Sequence, residues 1–253
     1  MWRSIFQPDL IDSIKSQSSR INSKDPITLF IKSESTQICD LGLKVQANLQ
    51  DINSALTGHA LITSQVIKNC QNLLQNVVPE DWSNIWDGPE IPSNYLKSLA
   101  KKLNGLNKYI QGAKGDLLSI DINLSEFLHP EAFINALRQK SAREMKTPID
   151  ELEITCEFSE TKGVVAKING IFLQGADFDG KKLIDIKGNQ SEIVNMPICF
   201  LKFVKNRNKN KNEIEIPLYE NLFREHFICQ LGLQFSGNLQ ATILKGIALC
   251  LDQ

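Results

Sequence analysis

Apolar residues recur along the first part of the chain at alternating three- and four-residue steps: Ile38, Leu41, Val45, Leu49, Ile52 and Leu56, then Val66, Cys70, Leu73 and Val77. Positions at that spacing fall on one face of an α-helix, so the pattern predicts a helical stripe. His59 and Thr63 keep the same phase, but Gly58 beside them weakens a helix by roughly 1 kcal/mol relative to alanine, so one long helix or two in line both fit. Asp81 to Pro92 (DWSNIWDGPEIP) is rich in helix breakers, and Trp82 and Trp86 within it are suited to wedge into a groove between helices. A second stripe follows at Leu96, Leu99, Leu103, Leu106 and Ile110, with Ser93 or Asn94 to cap its start and Gly112 past its end. A third helix is predicted from Pro130, whose missing N–H costs nothing in the first turn, through Phe133, Ala136, Leu137 and Ala142 to about Met145. Residues 1–146 therefore read as helical.

After Pro148 the texture changes to short apolar or alternating runs separated by Gly, Asn and Pro: Leu152 to Phe158, Val164 to Ile168, Ile171 to Leu173, Ile198 to Val204, Ile214 to Tyr219, Phe227 to Leu233 and Thr242 to Leu251. Such runs read as strands of a small β-barrel or sandwich. In the first run Leu152, Ile154, Cys156 and Phe158 alternate with Glu and Thr, which gives one buried face and one wet face. The polar stretch Lys205 to Glu213 (KNRNKNKNE) reads as a solvated hairpin loop between two strands, its basic character leaving an acidic partner as the other option. The protein is thus α+β, helical first and β-rich second, with no internal repeat.

Composition adds little to this picture but removes several function classes. With 253 residues, 42% of them hydrophobic, the sequence is long enough for one large domain or two modest ones. A net charge of −1 gives no general attraction to nucleic acid or anionic membrane, and no apolar stretch reaches the ~18 residues of a membrane span. The start MWRSIFQPDL has neither the basic nor the long apolar region of a secretion signal. Cys39, Cys70, Cys156, Cys199, Cys229 and Cys250 are scattered, without CxxC pairs and mostly inside apolar runs. They read as buried free thiols of an intracellular protein.

Candidate chemistry fails on context. Gly175 to Lys182 (GADFDGKK) matches G-x-x-x-x-G-K but puts Lys where a phosphate loop needs Ser or Thr, sets Asp177 and Asp179 beside the phosphates, and lacks a long helix afterwards. A turn between strands, with Gly180 supplying the unusual backbone angle, is the expected role. As a calcium loop the same stretch lacks a third ligand before the glycine and a suitable glutamate after it. His59, His129 and His226 show no paired ligand spacing, and neither G-x-S-x-G nor H-E-x-x-H occurs. Asp150, Glu151 and Glu153 fit a solvated turn better than an acid/base pair. No catalytic, cofactor-binding or metal-binding residue is therefore expected, and no cofactor.

Several strings occur in an order that resembles the C-terminal domain of dynein heavy chains. HPEAFINALRQKSAREMKTPIDELEI is similar to the family's stretch in which P-x-A-F and Ala-Arg lead into a Pro-Ile-Asp turn and a strand. INGIFLQGADFDG resembles G-L-F-L-E-G-A-x-W-D through Gly170, Phe172, Leu173, Gly175, Ala176, Phe178 and Asp179. MPICFLKF, IPLYEN and KGIALCL resemble later strands, and VPEDWSNIWDGPEIPSNYLKSLAKKL the helical entry. WDGPEIPSNYL together with SEFLHPEAFINALRQ tilts the likeness toward the intraflagellar-transport (cytoplasmic type 2) branch, and DPITLFIKSE extends it back to about Asp25. Phe178 stands for the usual Trp, Lys245 for the usual Arg, and Glu220-Asn221 for a small-residue step.

The resemblance implies an N-terminal extension (1–24), a helical subdomain (25–146) and a small antiparallel β-barrel (147–253), together one C-terminal domain. It implies a non-catalytic cap on the AAA+ ring modules of the same polypeptide, associated with other dynein complex subunits. Such a cap modulates minus-end-directed motility in cytoplasm, cytoskeleton, and cilium or flagellum, and does not bind nucleic acid or insert into membrane. Trp82, Trp86 and Tyr95 are the expected ring-contact or anchoring residues, and Phe172, Leu173 and Phe178 the expected barrel core. The motor's ATP sites would lie upstream of this sequence. A cap of a motor should expose a sizeable apolar patch when isolated, whereas a free-standing adaptor derived from that domain should have made the patch polar.

Overall fold

The computed structural model describes residues 8–112, 116–185, 193–207, 212–237 and 246–251. The chain gathers into two compact units, residues 1–23 with 31–114 and residues 24–30 with 115–253.

The first unit is helical: α1 (Pro8–Ser19), α2 (Pro26–Leu56, whose first turn groups with the second unit), α3 (Ser64–Leu74), the single turn α4 (Glu80–Ser83) and α5 (Pro92–Gly112). The apolar stripes do not include α1; Ile11 and Ile14, one helical turn apart, are buried there, and α1 packs on α5. Gly42 on α2 makes room for this helix, since a Cβ at that position would lie 3.0 Å from Ile11 Cδ1. Between the two possibilities for the first stripe, two helices form. α2 closes with paired bonds from Gly58 N to Ala55 O and from His59 N to Ser54 O, Gly58 taking φ +73. Thr63 does not continue the stripe but caps α3, its hydroxyl accepting from Val66 N. Two details of α5 are also corrected. Asn94 N and Tyr95 N bond to Ile91 O, so the helix starts at Pro92 with Ser93 and Asn94 already inside its first turn, and Gly112 lies within the helix rather than past its end.

The second unit opens with two short 3₁₀ turns, Leu117–Ser119 and Leu124–Glu126, around β1 (Ile122–Asn123). A strand at this point departs from the all-helical reading of residues 1–146; two residues are too few for a period to register. The helix α6 (Pro130–Met145) runs as predicted and ends at Lys146 with φ 51. After it come β2 (Leu152–Glu157), β3 (Val165–Asn169), β4 (Ile171–Gln174), β5 (Asp177–Asp179), β6 (Lys182–Ile184), β7 (Val194–Asn195), β8 (Cys199–Lys205), β9 (Glu213–Tyr219), β10 (Phe227–Ser236) and β11 (Ala248–Leu251). The predicted start of the last strand, Thr242, lies outside the described residues.

The strands order as β1-β3-β8-β2 and β5-β6-β10-β9-β11-β4-β7. β2 of the smaller sheet also touches β10 of the larger one, so the sheets curl into a near-closed barrel. It is mixed rather than antiparallel, because β1 with β3, β6 with β10, and β9 with β11 run parallel. These strands enter by crossovers from distant parts of the sequence, where a hairpin would have enforced the antiparallel sense. Their core is filled from alternate positions, such as Ile171 and Leu173 on β4 and Leu201 and Phe203 on β8, and Phe127, Phe133 and Phe30 form an aromatic cluster beneath α6.

The Lys205–Glu213 stretch is not a hairpin loop: β8 and β9 belong to different sheets, and the segment leads from one to the other. Residues 208–211 lie outside the described residues. At its ends Arg207 and Glu213 form a nearly buried ion pair, with Arg207 Nη1 donating to Ile154 O at 3.0 Å.

Candidate interaction surface

Gly175 to Lys182 is the hairpin β5–β6, with Gly180 at φ +62 in the turn and Lys181 N bonded to Asp179 O; a strand stands where a phosphate loop leads into its helix. The six cysteines are free. Burial pushes the Cys39 thiol up to about 11 and Cys229 to about 12, and a hydrogen bond with Cys199 together with burial raises Cys156 well above its ordinary value. Thiols held protonated in this way are poor nucleophiles and poor metal ligands. No cluster of three or more His, Cys, Asp or Glu suited to a metal ion occurs among the described residues, and no described helix is long and apolar enough to cross a membrane.

What the first unit does offer is a surface. Along the first stripe Ile38, Leu41 and Val45 are fully buried, Leu49 and Ile52 are half-buried, and Leu56 is 79% exposed. Further along the stripe Val66 is buried, Cys70 and Leu73 are half-buried and Val77 is exposed, so the stripe is open at Leu56 and at Val77. In the turn and helix after Leu56, Leu61 is 89% and Leu74 86% exposed, with Ile62, Ile67 and Val77 open beside them. Ile67 and Leu74, seven residues apart on α3, share a helix face distinct from the one that buries Val66 and Asn69.

This surface is preformed. Asn76, at φ 60, closes α3 with the same paired bonds that close α2, from its own N to Leu73 O and from Val77 N to Asn72 O. Gln65 and Lys68 on α3 reach Asp81 and Glu80, and Lys44 on α2 lies 3.5 Å from Asp81, which ties α2, α3 and α4 together.

The three aromatic residues singled out from the sequence are all buried within the unit. Trp82 donates its indole N–H to Asn48 Oδ1 on α2 at 2.9 Å. The Tyr95 hydroxyl reaches the carbonyls of Trp82 and Trp86 at 3.1 and 3.2 Å, and burial, with Asp87 nearby, raises its pKa. Its ring packs on Trp86 with centroids 4.8 Å apart, while Lys102 Nζ sits 4.9 Å from the Trp86 ring. Gly88 is needed because a Cβ there would lie 2.6 Å from Trp86. The trio therefore fixes the irregular segment between α3 and α5 to α2. Of the residues expected in the barrel core, Leu173 is fully buried, Phe172 is half-buried on the other face of β4, and Phe178 is half-buried with its ring 4.8 Å from Phe158. The exposed apolar run escapes a reading of the sequence because Leu61, Ile62, Ile67 and Leu74 lie off the legible stripe, and for Leu56 and Val77, which lie on it, periodicity reports a helix face and not what covers it.

A family model for the C-terminal domain of the dynein heavy chain matches residues 3–251. The protein belongs to this family. The match reaches back through α1, beyond the point near Asp25 where the likeness of short strings ends. Among relatives, cytoplasmic dynein 2 heavy chain 1 of Tripneustes gratilla is 32% identical over 262 aligned positions, covering 100% of this chain and 6% of that protein. The Homo sapiens protein of the same name is 27% identical over 99% of this chain and 6% of its own length. Dynein axonemal heavy chain 9 of Homo sapiens is 24% identical over 92% of this chain and 5% of its own length. The chain thus spans about 6% of the length of the dynein 2 relatives it matches.

Proposed function

We propose that the protein acts as the C-terminal cap of a dynein motor, packing on AAA+ ring modules of the same polypeptide and modulating minus-end-directed movement along microtubules. The similarity to cytoplasmic dynein 2 heavy chains favours retrograde intraflagellar transport, in a dynein complex of the cytoplasm, cytoskeleton and cilium. ATP hydrolysis belongs to upstream modules, and the cap biases the states those modules visit.

The observation that carries this reading is the exposed apolar group between Leu56 and Val77, namely Leu56, Leu61, Ile62, Ile67, Leu74 and Val77. Exposed large apolar residues concentrated in one short segment mark a contact that the isolated domain does not make, and a free-standing adaptor would have no reason to retain them. Hydrogen exchange tests it. Amides of α3 and its flanking turns should exchange more slowly in the full heavy chain than in the isolated 253-residue protein; equal rates in the two would remove the surface from the interface. The isolated domain should hydrolyse no ATP above background, and turnover there would overturn the assignment of catalysis to other modules.

A further inference from the structure

The β9–β10 hairpin carries a second apolar feature, of a different build. Its loop runs from Glu220 to His226 and presents Phe223, 84% exposed, with Leu222 and Phe227 partly exposed beside it. A large exposed ring is usually accompanied by a slack backbone, but here the backbone is held from inside and from the side. Buried Asn221 accepts through Oδ1 from Phe223 N at 3.0 Å and Glu225 N at 3.1 Å, and its amide donates to Glu225 Oε2 at 2.6 Å. Arg224 donates to Gln174 Oε1 at 3.1 Å and to Gly246 O, while Gln174 Nε2 donates back to Leu222 O at 3.1 Å. The loop is thereby moored to β4 and to the entry of β11. Arg224 (φ 63) and His226 (φ 49) both occupy the left-handed region, a strained conformation that the bonds around Asn221 and Arg224 sustain.

An aromatic ring on a preorganised loop loses little entropy when it enters a pocket, which is how anchor residues work. The size of the feature selects the occupant. Two phenylalanines and a leucine, only partly free, offer on the order of a few hundred Å², well short of the ~800 Å² per partner of a stable association between separate molecules. A contact so small is effective only when its partner is already tethered at high effective concentration. We infer that Phe223 is an anchor that inserts into an apolar pocket elsewhere on the same heavy chain, a contact additional to the Leu56–Val77 surface.

This inference rests on the reading of the protein as part of a longer polypeptide, and its test separates the two. A photo-activatable benzoyl-phenylalanine is placed at position 223 of the full heavy chain, and in a second preparation at position 61. Irradiation at 223 should give an intramolecular cross-link, with no new high-mass species and a peptide joined to a segment outside residues 1–253. Cross-linking at 61 but not at 223 overturns the anchor and leaves the cap reading standing. Absence of intramolecular products at both positions overturns both. A product from 223 that joins two polypeptides, whether a second copy or another protein, overturns the tethered occupant.

Discussion

Asp25 shows how much one residue settles at the junction of sequence and fold. It caps α2 by accepting from Thr28 N and Thr28 Oγ1, each at 3.0 Å, and pairs with Lys140 of α6 at 2.7 Å, a residue 115 positions away. Burial acts to raise its pKa, but the Lys140 ammonium and the two bonds from Thr28 outweigh that and leave it below the ordinary 3.8. A carboxylate depressed in the folded state binds its proton more readily when unfolded. Its contribution is therefore complete above the unfolded value near 4 and is lost as pH falls through the lower folded value. Urea unfolding of the wild type should lose stability between about pH 5 and 3 more steeply than that of Asp25→Asn, the difference staying under about 1 kcal/mol because the site is partly solvated. Identical slopes would mean that Lys140 does not hold the carboxylate in solution. The cap is within reach of the sequence, since Asp-Pro precedes the helix, whereas the ion pair is not, because no local pattern joins residues 25 and 140.

Among the elements, legibility follows length and period. α6 is readable from its start at Pro130 and the apolar residues behind it, β2 from an alternating run and β8 from a nearly continuous apolar one. The elements that escape are those with too few residues for a period, β1 and the strands of the β5–β6 hairpin, or those decided by partners, such as the parallel pairing of β9 with β11. Helix ends are legible only where a special residue marks them. Gly58 announces the end of α2, but Lys146 takes the same left-handed conformation at the end of α6 without any sequence sign. That conformation is unfavourable for a residue with a Cβ by roughly 1 kcal/mol, a cost glycine does not bear. Lys146→Gly should therefore raise the unfolding free energy by roughly 0.5–1 kcal/mol, less whatever glycine's greater freedom returns to the unfolded state. Denaturant titration with an unchanged slope would register the gain, and a loss of stability would show that the Lys146 side group contributes more than its backbone costs.

For the molecule as a whole, the sequence stripe includes two residues of the candidate surface, Leu56 and Val77, without saying on which side of the domain boundary they lie. Leu56 and Val77 belong to the same periodic stripe as Ile38 and Val45, and periodicity is blind to whether the covering partner lies within the domain or outside it. Residue chemistry draws no line either, because leucine serves a core and an obligate interface equally well. Only the fold shows where the core ends, and it shows at the same time that the segment beyond is turned by defined caps and tied by Gln65, Lys68 and Lys44 to Asp81 and Glu80. A surface that is ordered and apolar in isolation is at odds with solubility, so removing its apolar character should separate folding from docking. In the isolated domain Leu61→Asp with Leu74→Asp should leave the unfolding free energy within about 0.5 kcal/mol, since both residues are exposed, and should lower concentration-dependent self-association in sedimentation. Placed in the full heavy chain, the same pair should speed exchange of the α3 amides toward the rate of the isolated domain and change microtubule gliding velocity, because two charges would then have to be desolvated at the contact. If folding is kept and both readouts in the full motor stay at the wild-type value, the surface around Leu61 and Leu74 faces solvent in the motor and the cap docks through another face.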